Sequence, residues 1–286
     1  MTRPSYLTEK AIQEFIRSAL REDIGEGDHS TLATIPSDKI SKAKLLVKAN
    51  GIIAGIEAAK LIFNEVDPTL QITFFKKDGD SMTAGEIAFE VHGKAQSILS
   101  GERLVLNCMQ RMSGIATYTH HLCKLIEGTS AQLMDTRKTT PNFRLMEKWA
   151  VAIGGGKNHR YALYDMIMLK DNHIDVAGGI TKAVSQAVNY LKEKGKNLQI
   201  EVETRNLKEV QEALDTNAVN VIMLDNMKLD EMKAAVKLIN GKVKTEASGG
   251  ITEPTLRSVA ECGVDYISMG ALTHSAKSLD LSLKIF

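Results

Sequence analysis

The chain has 286 residues, with 36 basic against 35 acidic side chains and a formal net charge of +1. That length is about twice a typical domain of roughly 150 residues, so two domains, or one barrel with an added domain, are expected. A nearly neutral chain has no general attraction to nucleic acid or to anionic membranes, so any anion site must come from a local cluster.

The opening stretch MTRPSYLTEKAIQEF is charged throughout and lacks the apolar core of a signal peptide. No segment approaches the roughly 20 apolar residues of a membrane span, and a cytoplasmic protein is expected. Ile12, Phe15, Ile16, Ala19 and Leu20 recur at helical spacing behind Thr8, a candidate N-cap, and Gly25 with Gly27 ends the pattern. Between residues 41 and 91 the short runs KAKLLVKA, LQITFFKK and EIAFEVHG read as strands around one helix near 55–66, an α+β arrangement. A long helical stretch over 98–126 follows, with a break or kink expected near Gly114. Cys108, Cys123 and Cys262 have no metal-type spacing and are odd in number, so they read as reduced core thiols.

Beyond residue 130 the rhythm changes. Apolar runs at AQLMD, DMIML, LQIEVE, NVIML, KTEA and DYISM are each separated by a helix-like segment, the pattern of a parallel sheet. About 155 residues cannot hold the usual eight barrel units of roughly 250 residues, so a closed barrel here is a reduced one. Each run is followed by polar or small residues. AQLMD leads into Thr136, Arg137 and Lys138, and DMIML into Lys170, Asp171, Asn172 and His173. Glu203 closes LQIEVE, Asp225 and Asn226 end NVIML, Ser248, Gly249 and Gly250 follow KTEA, and Gly270 follows DYISM. These are carboxyl ends of strands, where parallel α/β proteins place their active sites. Loops are polar in any protein, but charged residues directly against strand after strand exceed that background.

Arg137, Lys138, Arg144, Lys157, His159, Arg160 and Lys170 fall within one short stretch of this neutral chain. Cations gathered on one face suit a small polyanion, because guanidinium forks match carboxylates and phosphates and Lys supplies a compact charge. Lys157 reads as solvated surface. His159 beside Arg160 suits either proton transfer or donation to an anion; among so many cations its protonated form is disfavoured, which favours a positioning role. His173 suits a loop cap as well as a functional role. Glu203 and Asp225, at the ends of different strands, suit Mg²⁺ bound jointly with a phosphate-rich substrate, or ribose hydroxyls, or an ion pair with Lys170. Ser248, Gly249 and Gly250 precede a helix, so open backbone and unpaired N–H groups offer a phosphate site. The run Gly154, Gly155 and Gly156 follows a helix-like segment and reads as a flexible loop.

Taken in order, EDIGEGDHST at 22–31, ER at 102–103, QRMSGIAT at 110–117, DTRKTTP at 135–141, GGGKNHR at 154–160 and LKDNHI at 169–174 form a recognisable series. With EVE at 201–203, LDN at 224–226, EASGGI at 246–251 and SMGALTHS at 268–275, the chain resembles quinolinate phosphoribosyltransferase over nearly its whole length. The resemblance implies an α/β protein with an N-terminal open-faced α/β sandwich over 1–115 and a C-terminal reduced, six- or seven-stranded α/β barrel over 116–275, with the tail 276–286 packing back on the first domain. It implies transfer of phosphoribosyl from phosphoribosyl pyrophosphate to quinolinate with decarboxylation, dependent on Mg²⁺, in a homodimer that shares its active sites.

The resemblance also assigns roles. Arg137, Arg160 and Lys170 look like holders of the quinolinate carboxylates, with His159 and Thr136 beside them and Arg103 donated across the dimer. Lys138, Glu203 and Asp225 look like the catalytic group serving phosphoribosyl pyrophosphate and its metal. Ser248, Gly249, Gly250 and Gly270 look like the 5′-phosphate cradle. Asn142 and Phe143, Tyr161 and Ala162, and Leu104 with Val105 depart from the family pattern without removing any assigned charge. Two rivals stand beside this reading. A nicotinate phosphoribosyltransferase would meet one carboxylate and need fewer cations, and a non-catalytic binder of a phosphorylated metabolite would not need Glu203 and Asp225.

Overall fold

The computed structural model describes residues 4–286, so the first three residues of the charged N-terminal stretch lie outside the described residues. Helix α1 (Glu9–Ile24) starts where Thr8 accepts the Ala11 N–H at 3.1 Å, buries Ile12 and Ile16, and ends at Gly25. Helix α2 (His29–Thr34) is capped by the Asp28 carboxylate, which accepts from both the N–H and the hydroxyl of Thr31. Strands β1 (Ile40–Val47) and β2 (Gly51–Ile52) lead to α3 (Ile56–Val66). Gly55 has no side chain to cap α3, and Asp78 supplies one by accepting the N–H groups of Gly55, Ile56 and Glu57 at 2.6, 2.9 and 3.1 Å. Then come β3 (Gln71–Phe74), β4 (Ser81–Met82), β5 (Ile87–Lys94) and the long α4 (Ala95–Leu125).

Helix α4 is continuous, so the break expected near Gly114 is absent. The glycine has a different cause: a Cβ there would overlap the main-chain carbonyl of Lys277, which crosses the helix at that point. Gln110 fixes the same crossing, accepting the Leu279 N–H through its backbone carbonyl at 2.9 Å and donating from Nε2 to the Leu281 carbonyl at 2.8 Å.

The second half continues with β6 (Gln132–Met134), α5 (Arg144–Ile153), β7 (Ile167–Leu169), α6 (Asp171–Ala177), α7 (Ile180–Lys194) and β8 (Ile200–Thr204). It ends with α8 (Leu207–Asp215), β9 (Val221–Asp225), α9 (Leu229–Ile239), β10 (Lys244–Ser248), α10 (Glu253–Ala260), β11 (Tyr266–Ser268), α11 (Ala271–His274) and β12 (Leu281–Ile285).

Two compact units result. The first takes the chain to His120, Lys138–Gly155 and Ala271–Phe286. Its four-stranded antiparallel sheet has the order β12-β1-β5-β3, so the C-terminal strand lies beside the first strand, Leu45 opposite Leu283. Along β1, Ala43, Leu45 and Val47 are buried while the intervening Lys44 and Leu46 are only half-buried, the period-two pattern of a one-sided sheet. The second unit takes His121–Arg137 and Gly156–Gly270. Its six strands pair in parallel in the order β6-β11-β10-β9-β8-β7, and β6 carries one further parallel bridge to Lys157. This is a reduced α/β barrel. Strand β8 is buried at all five positions, as a parallel strand covered on both faces must be.

Cys108, Cys123 and Cys262 form no disulfide. Burial pushes the Cys108 thiol up to about 12, which keeps it protonated and unreactive.

Candidate active site

In the barrel unit, β6 delivers Asp135, fully buried, at its carboxyl end. Its carboxylate accepts from Asn158 Nδ2 at 2.6 Å and from the His159 N–H at 2.9 Å. The Lys157 N–H donates to the Leu133 carbonyl at 2.8 Å, and the Asp135 N–H donates to Lys157 at 3.1 Å. The segment KNHR is thereby laid along the barrel strand. Lys157 contributes backbone to this joint and leaves its side chain exposed.

His159 is held on both sides of its ring. Nε2 lies 2.9 Å from Glu201 Oε2 and 3.4 Å from Glu246 Oε2, and Nδ1 accepts the Arg160 N–H at 2.7 Å. Burial alone would lower the imidazole pKa, but hydrogen bonds and charge from Glu201 and Glu246 outweigh it and push it up to about 10. The sequence argument that neighbouring cations disfavour a proton here is therefore overturned, because two buried acids stand closer. Burial, opposed by His159 and reinforced by Glu246, also raises the Glu201 carboxyl well above its ordinary range. Nε2 is the ring nitrogen that faces both acids. The protons held by the trio are shared among the imidazole and the two carboxylates, whose Glu201 Oε1, Glu246 Oε1 and Glu246 Oε2 otherwise have no partner. The ligand atoms of His159, Glu201 and Glu246 lie within 4.8 Å of one another. In this arrangement the Nε2 proton takes the direction a metal ion would need.

Arg160 follows directly. Its Nη1 donates to the Met166 carbonyl at 3.2 Å, and its pKa is lowered first by burial and then by the positive charge of Arg137, so the two guanidiniums share one region. Asp165 accepts the N–H groups of Tyr161 and Ala162 at 2.6 and 2.8 Å, which builds the turn where this chain departs from the family pattern. The departure at Asn142 is also explained: its φ is +61°, in the left-handed region that Gly and Asn tolerate. Phe143, the neighbouring departure, sets its ring edge-on to Phe15 at 5.5 Å.

At the end of β7, the Lys170 N–H donates to His173 Nδ1 at 3.0 Å, so His173 is a helix cap. Glu203, 9% exposed, is raised by burial and by the charge of Asp225, with Lys170 pulling the other way. These three side chains therefore share a neighbourhood, two carboxylates and one cation. Asn226, at φ +53°, donates from Nδ2 to Asp225 Oδ2 at 2.6 Å, and its N–H donates to the Ser248 carbonyl at 2.9 Å. Gly249 (φ +89°) and Gly250 (φ +61°) continue from Ser248. A Cβ on Gly249 would overlap the Asn226 side-chain amide, so glycine is required there. Helix α10 follows, opened by the Thr252–Thr255 capping box. The barrel unit thus carries Arg137 beside Arg160, and Lys170 with Glu203, Asp225 and the glycine turn, with half-buried Thr136 and Gly270 closing β6 and β11.

Lys138 and Arg103 belong to the first unit: Arg103 is exposed on α4, and Lys138 begins the loop before α5. Three residues outside the sequence-based assignment prove central, namely Asp135, Glu201 and Glu246. Their signal was present. Glu201 sits in a strand buried at every position and Glu246 at the middle of three buried positions of β10, and a charge there needs a partner.

The fold and the site define an α/β-barrel enzyme with a guanidinium pair and a carboxylate pair in its barrel unit. The profile of the quinolinate phosphoribosyl transferase C-terminal domain matches residues 115–284 and that of its N-terminal domain residues 28–113, so the chain belongs to the quinolinate phosphoribosyltransferase family. It is 48% identical over 96% of its length to a chloroplastic nicotinate-nucleotide pyrophosphorylase [carboxylating] of Oryza sativa, covering 77% of that protein. It is 43% identical over 96% of its length to a probable nicotinate-nucleotide pyrophosphorylase of Bacillus subtilis, covering 93% of it. The crystal structure of NadC from Streptococcus pyogenes superposes with a TM-score of 0.92 at 40% identity, covering 99% of each chain.

Proposed function

We propose that this chain joins quinolinate to the ribose of phosphoribosyl pyrophosphate, releasing pyrophosphate and CO₂ and giving nicotinate mononucleotide in NAD synthesis. The observation that carries the reading is that one barrel unit holds two charged clusters, the Arg137–Arg160 pair, and Lys170 with Glu203 and Asp225. Two guanidiniums and Lys170 suit a dicarboxylate, and fixing it aligns the ring nitrogen for attack on ribose C1′. As the bond from C1′ to pyrophosphate breaks, positive charge grows on the ribose, where Glu203 and Asp225 stabilise it. Lys138, next in the chain to Arg137, offsets charge on the departing pyrophosphate.

Once the ring nitrogen is quaternary, the adjacent C2 carboxylate leaves as CO₂. Its electron pair remains at C2, stabilised by the pyridinium, and is quenched by a solvent proton. No side-chain base is needed. An oxygen-only donor pair, half-shielded and mutually repelling, fits Mg²⁺, with Glu203 and Asp225 as its holders directly or through water. Bound with the substrate, the ion would neutralise pyrophosphate charge. The open turn at Ser248, Gly249 and Gly250, with Gly270, suits the 5′-phosphate.

In this reading the chain acts as a homodimer that uses Arg103 of its partner copy, in the cytoplasm. No described helix is long and apolar enough to cross a membrane. Incubation with quinolinate, phosphoribosyl pyrophosphate and Mg²⁺, beside a parallel reaction with nicotinate, tests the chemistry. Nicotinate mononucleotide and CO₂ from quinolinate alone are expected, whereas turnover of nicotinate alone would overturn the diacid reading. Mixing inactive Arg103→Ala and Lys170→Ala proteins should restore part of the activity through hybrid dimers. No recovery despite demonstrated subunit exchange would refute the shared site.

A further inference from the structure

In the first unit, three consecutive residues of the loop that carries Lys138 are each tied down. The Lys138 carbonyl accepts from Thr273 Oγ1 at 2.7 Å, and Thr139 Oγ1 accepts from Arg144 Nε at 2.9 Å. Thr140 donates to Glu147 twice, from its N–H to Oε2 at 2.9 Å and from its hydroxyl to Oε1 at 3.0 Å. Glu147 is fully buried, and its charge is met by Arg111, whose Nε and Nη2 approach Oε1 at 3.0 and 2.9 Å. Arg111 does more than balance that charge. Its Nη1 donates to the Ala276 carbonyl at 2.5 Å and its Nη2 to the Thr273 carbonyl. Thr273 is the residue whose hydroxyl holds Lys138. One guanidinium therefore anchors both the acid that grips Thr140 and the segment that grips Lys138.

This is a costly way to make a turn. A loop needs no buried ion pair to reverse direction, and an apolar replacement of matching shape is often at least as stable. What a fork of five fixed donors supplies is geometric definition. We propose that the Arg111–Glu147 pair is a positioning device that clamps the main chain of residues 138–140 and thereby aims the Lys138 ammonium at the departing pyrophosphate. The inference rests on the proposed role of Lys138 and deepens it: Arg111 and Glu147 act through that lysine and do not touch substrate. Misplacement of a reacting group by about 1 Å costs on the order of a hundredfold in rate.

The test is a pair of double-variant cycles in the full chain, read by steady-state kinetics with phosphoribosyl pyrophosphate varied, by quinolinate titration and by thermal melting. Glu147→Gln keeps the shape and removes the charge. Thr273→Val removes only the hydroxyl that holds Lys138, and it guards against a Glu147→Gln protein that does not fold. Each variant should lower kcat/KM for phosphoribosyl pyrophosphate about tenfold to a hundredfold, with quinolinate affinity kept within about twofold. Placed on a Lys138→Ala background, each should cost nothing further, because the aimed group is already gone. Arg111→Lys, with charge but no fork, should behave as Glu147→Gln does. If Lys138→Ala is impaired but the second substitutions add their full losses, the pair is a structural brace and the positioning role is overturned. If Lys138→Ala itself leaves kcat/KM unchanged, the reading of Lys138 fails first and the clamp with it.

Discussion

Replacing His159 by Ala removes the one donor that the buried acids Glu201 and Glu246 share. Their side chains are 0% and 1% exposed, and three of their four oxygens have no other hydrogen-bond partner. Removing one member of a buried charge group in this way costs about 3–5 kcal/mol, since the remaining charge is left uncompensated. At about 2–4 °C per kcal/mol for a protein of this size, the melting temperature should fall by about 6–20 °C at pH 8.5. The loss must also depend on pH, and its sign follows from the direction of the shifts. His159 and Glu201 both titrate above their ordinary values of 6.5 and 4.5, so the folded protein holds protons that the unfolded chain releases. Their contribution is complete at acid pH and fades as pH rises through the raised values, towards about 10 for the imidazole.

The contribution of the imidazole is fullest below its unfolded value of 6.5, so the deficit of His159→Ala should be larger at acid pH and shrink as pH rises towards about 10. Thermal scans of wild type and variant at pH 5.5 and 8.5 measure it. The gap at pH 8.5 should be the smaller of the two. Adding Glu201→Gln to His159→Ala should restore part of the stability at pH 8.5, because it removes one of the two stranded charges. An equal gap at both pH values, or no recovery in the double variant, would refute the shared-proton account.

Gly249→Ala places a side chain at φ +89° against the Asn226 amide. At about 1–3 kcal/mol of backbone strain, KM for phosphoribosyl pyrophosphate should rise at least about tenfold, and unchanged kinetics would remove Gly249 from the phosphate cradle. Gly114→Ala drives a methyl into the Lys277 carbonyl; amide exchange over Leu281–Ile285 should accelerate while barrel amides keep their protection, and uniform acceleration would contradict a local joint. Arg137→Ala or Lys170→Ala should weaken quinolinate use by about tenfold or more, since each leaves a carboxylate unpaired at about 1.5–3 kcal/mol for a charged hydrogen bond. Phosphoribosyl pyrophosphate affinity should change far less, and equal losses for both ligands would sink that assignment.

The barrel was legible because parallel strands announce themselves twice, by apolar runs and by the polar residues after each run. Arg137, Lys170, Glu203 and Asp225 were placed at strand carboxyl ends in this way. A break at Gly114 was misread because a mid-helix glycine signals either an interruption or a close crossing, and the path of the distant Lys277 supplies the crossing. The state of His159 was misread for a related reason. Its sequence neighbours are cations, but its spatial neighbours are Glu201 and Glu246, 42 residues away in one case. Periodicity reports which face a residue occupies, whereas protonation depends on what stands opposite.

The buried acids also explain how the barrel tolerates its own cations before a substrate arrives. Arg137 disfavours the charge on Arg160, and burial adds to that penalty. Glu201 offsets part of it, as the charge on Glu201 favours the Arg160 guanidinium while its hydrogen bond fixes His159. The Arg160 N–H is in turn held by His159, so the acid that steadies the guanidinium charge also steadies the backbone from which that side chain extends. Offset in part by an acid that is itself tied to the imidazole, the Arg160 guanidinium keeps part of its attraction for an anion. Keeping Glu201 one layer below, on the imidazole, is what reconciles a folded barrel with an unfilled anion site.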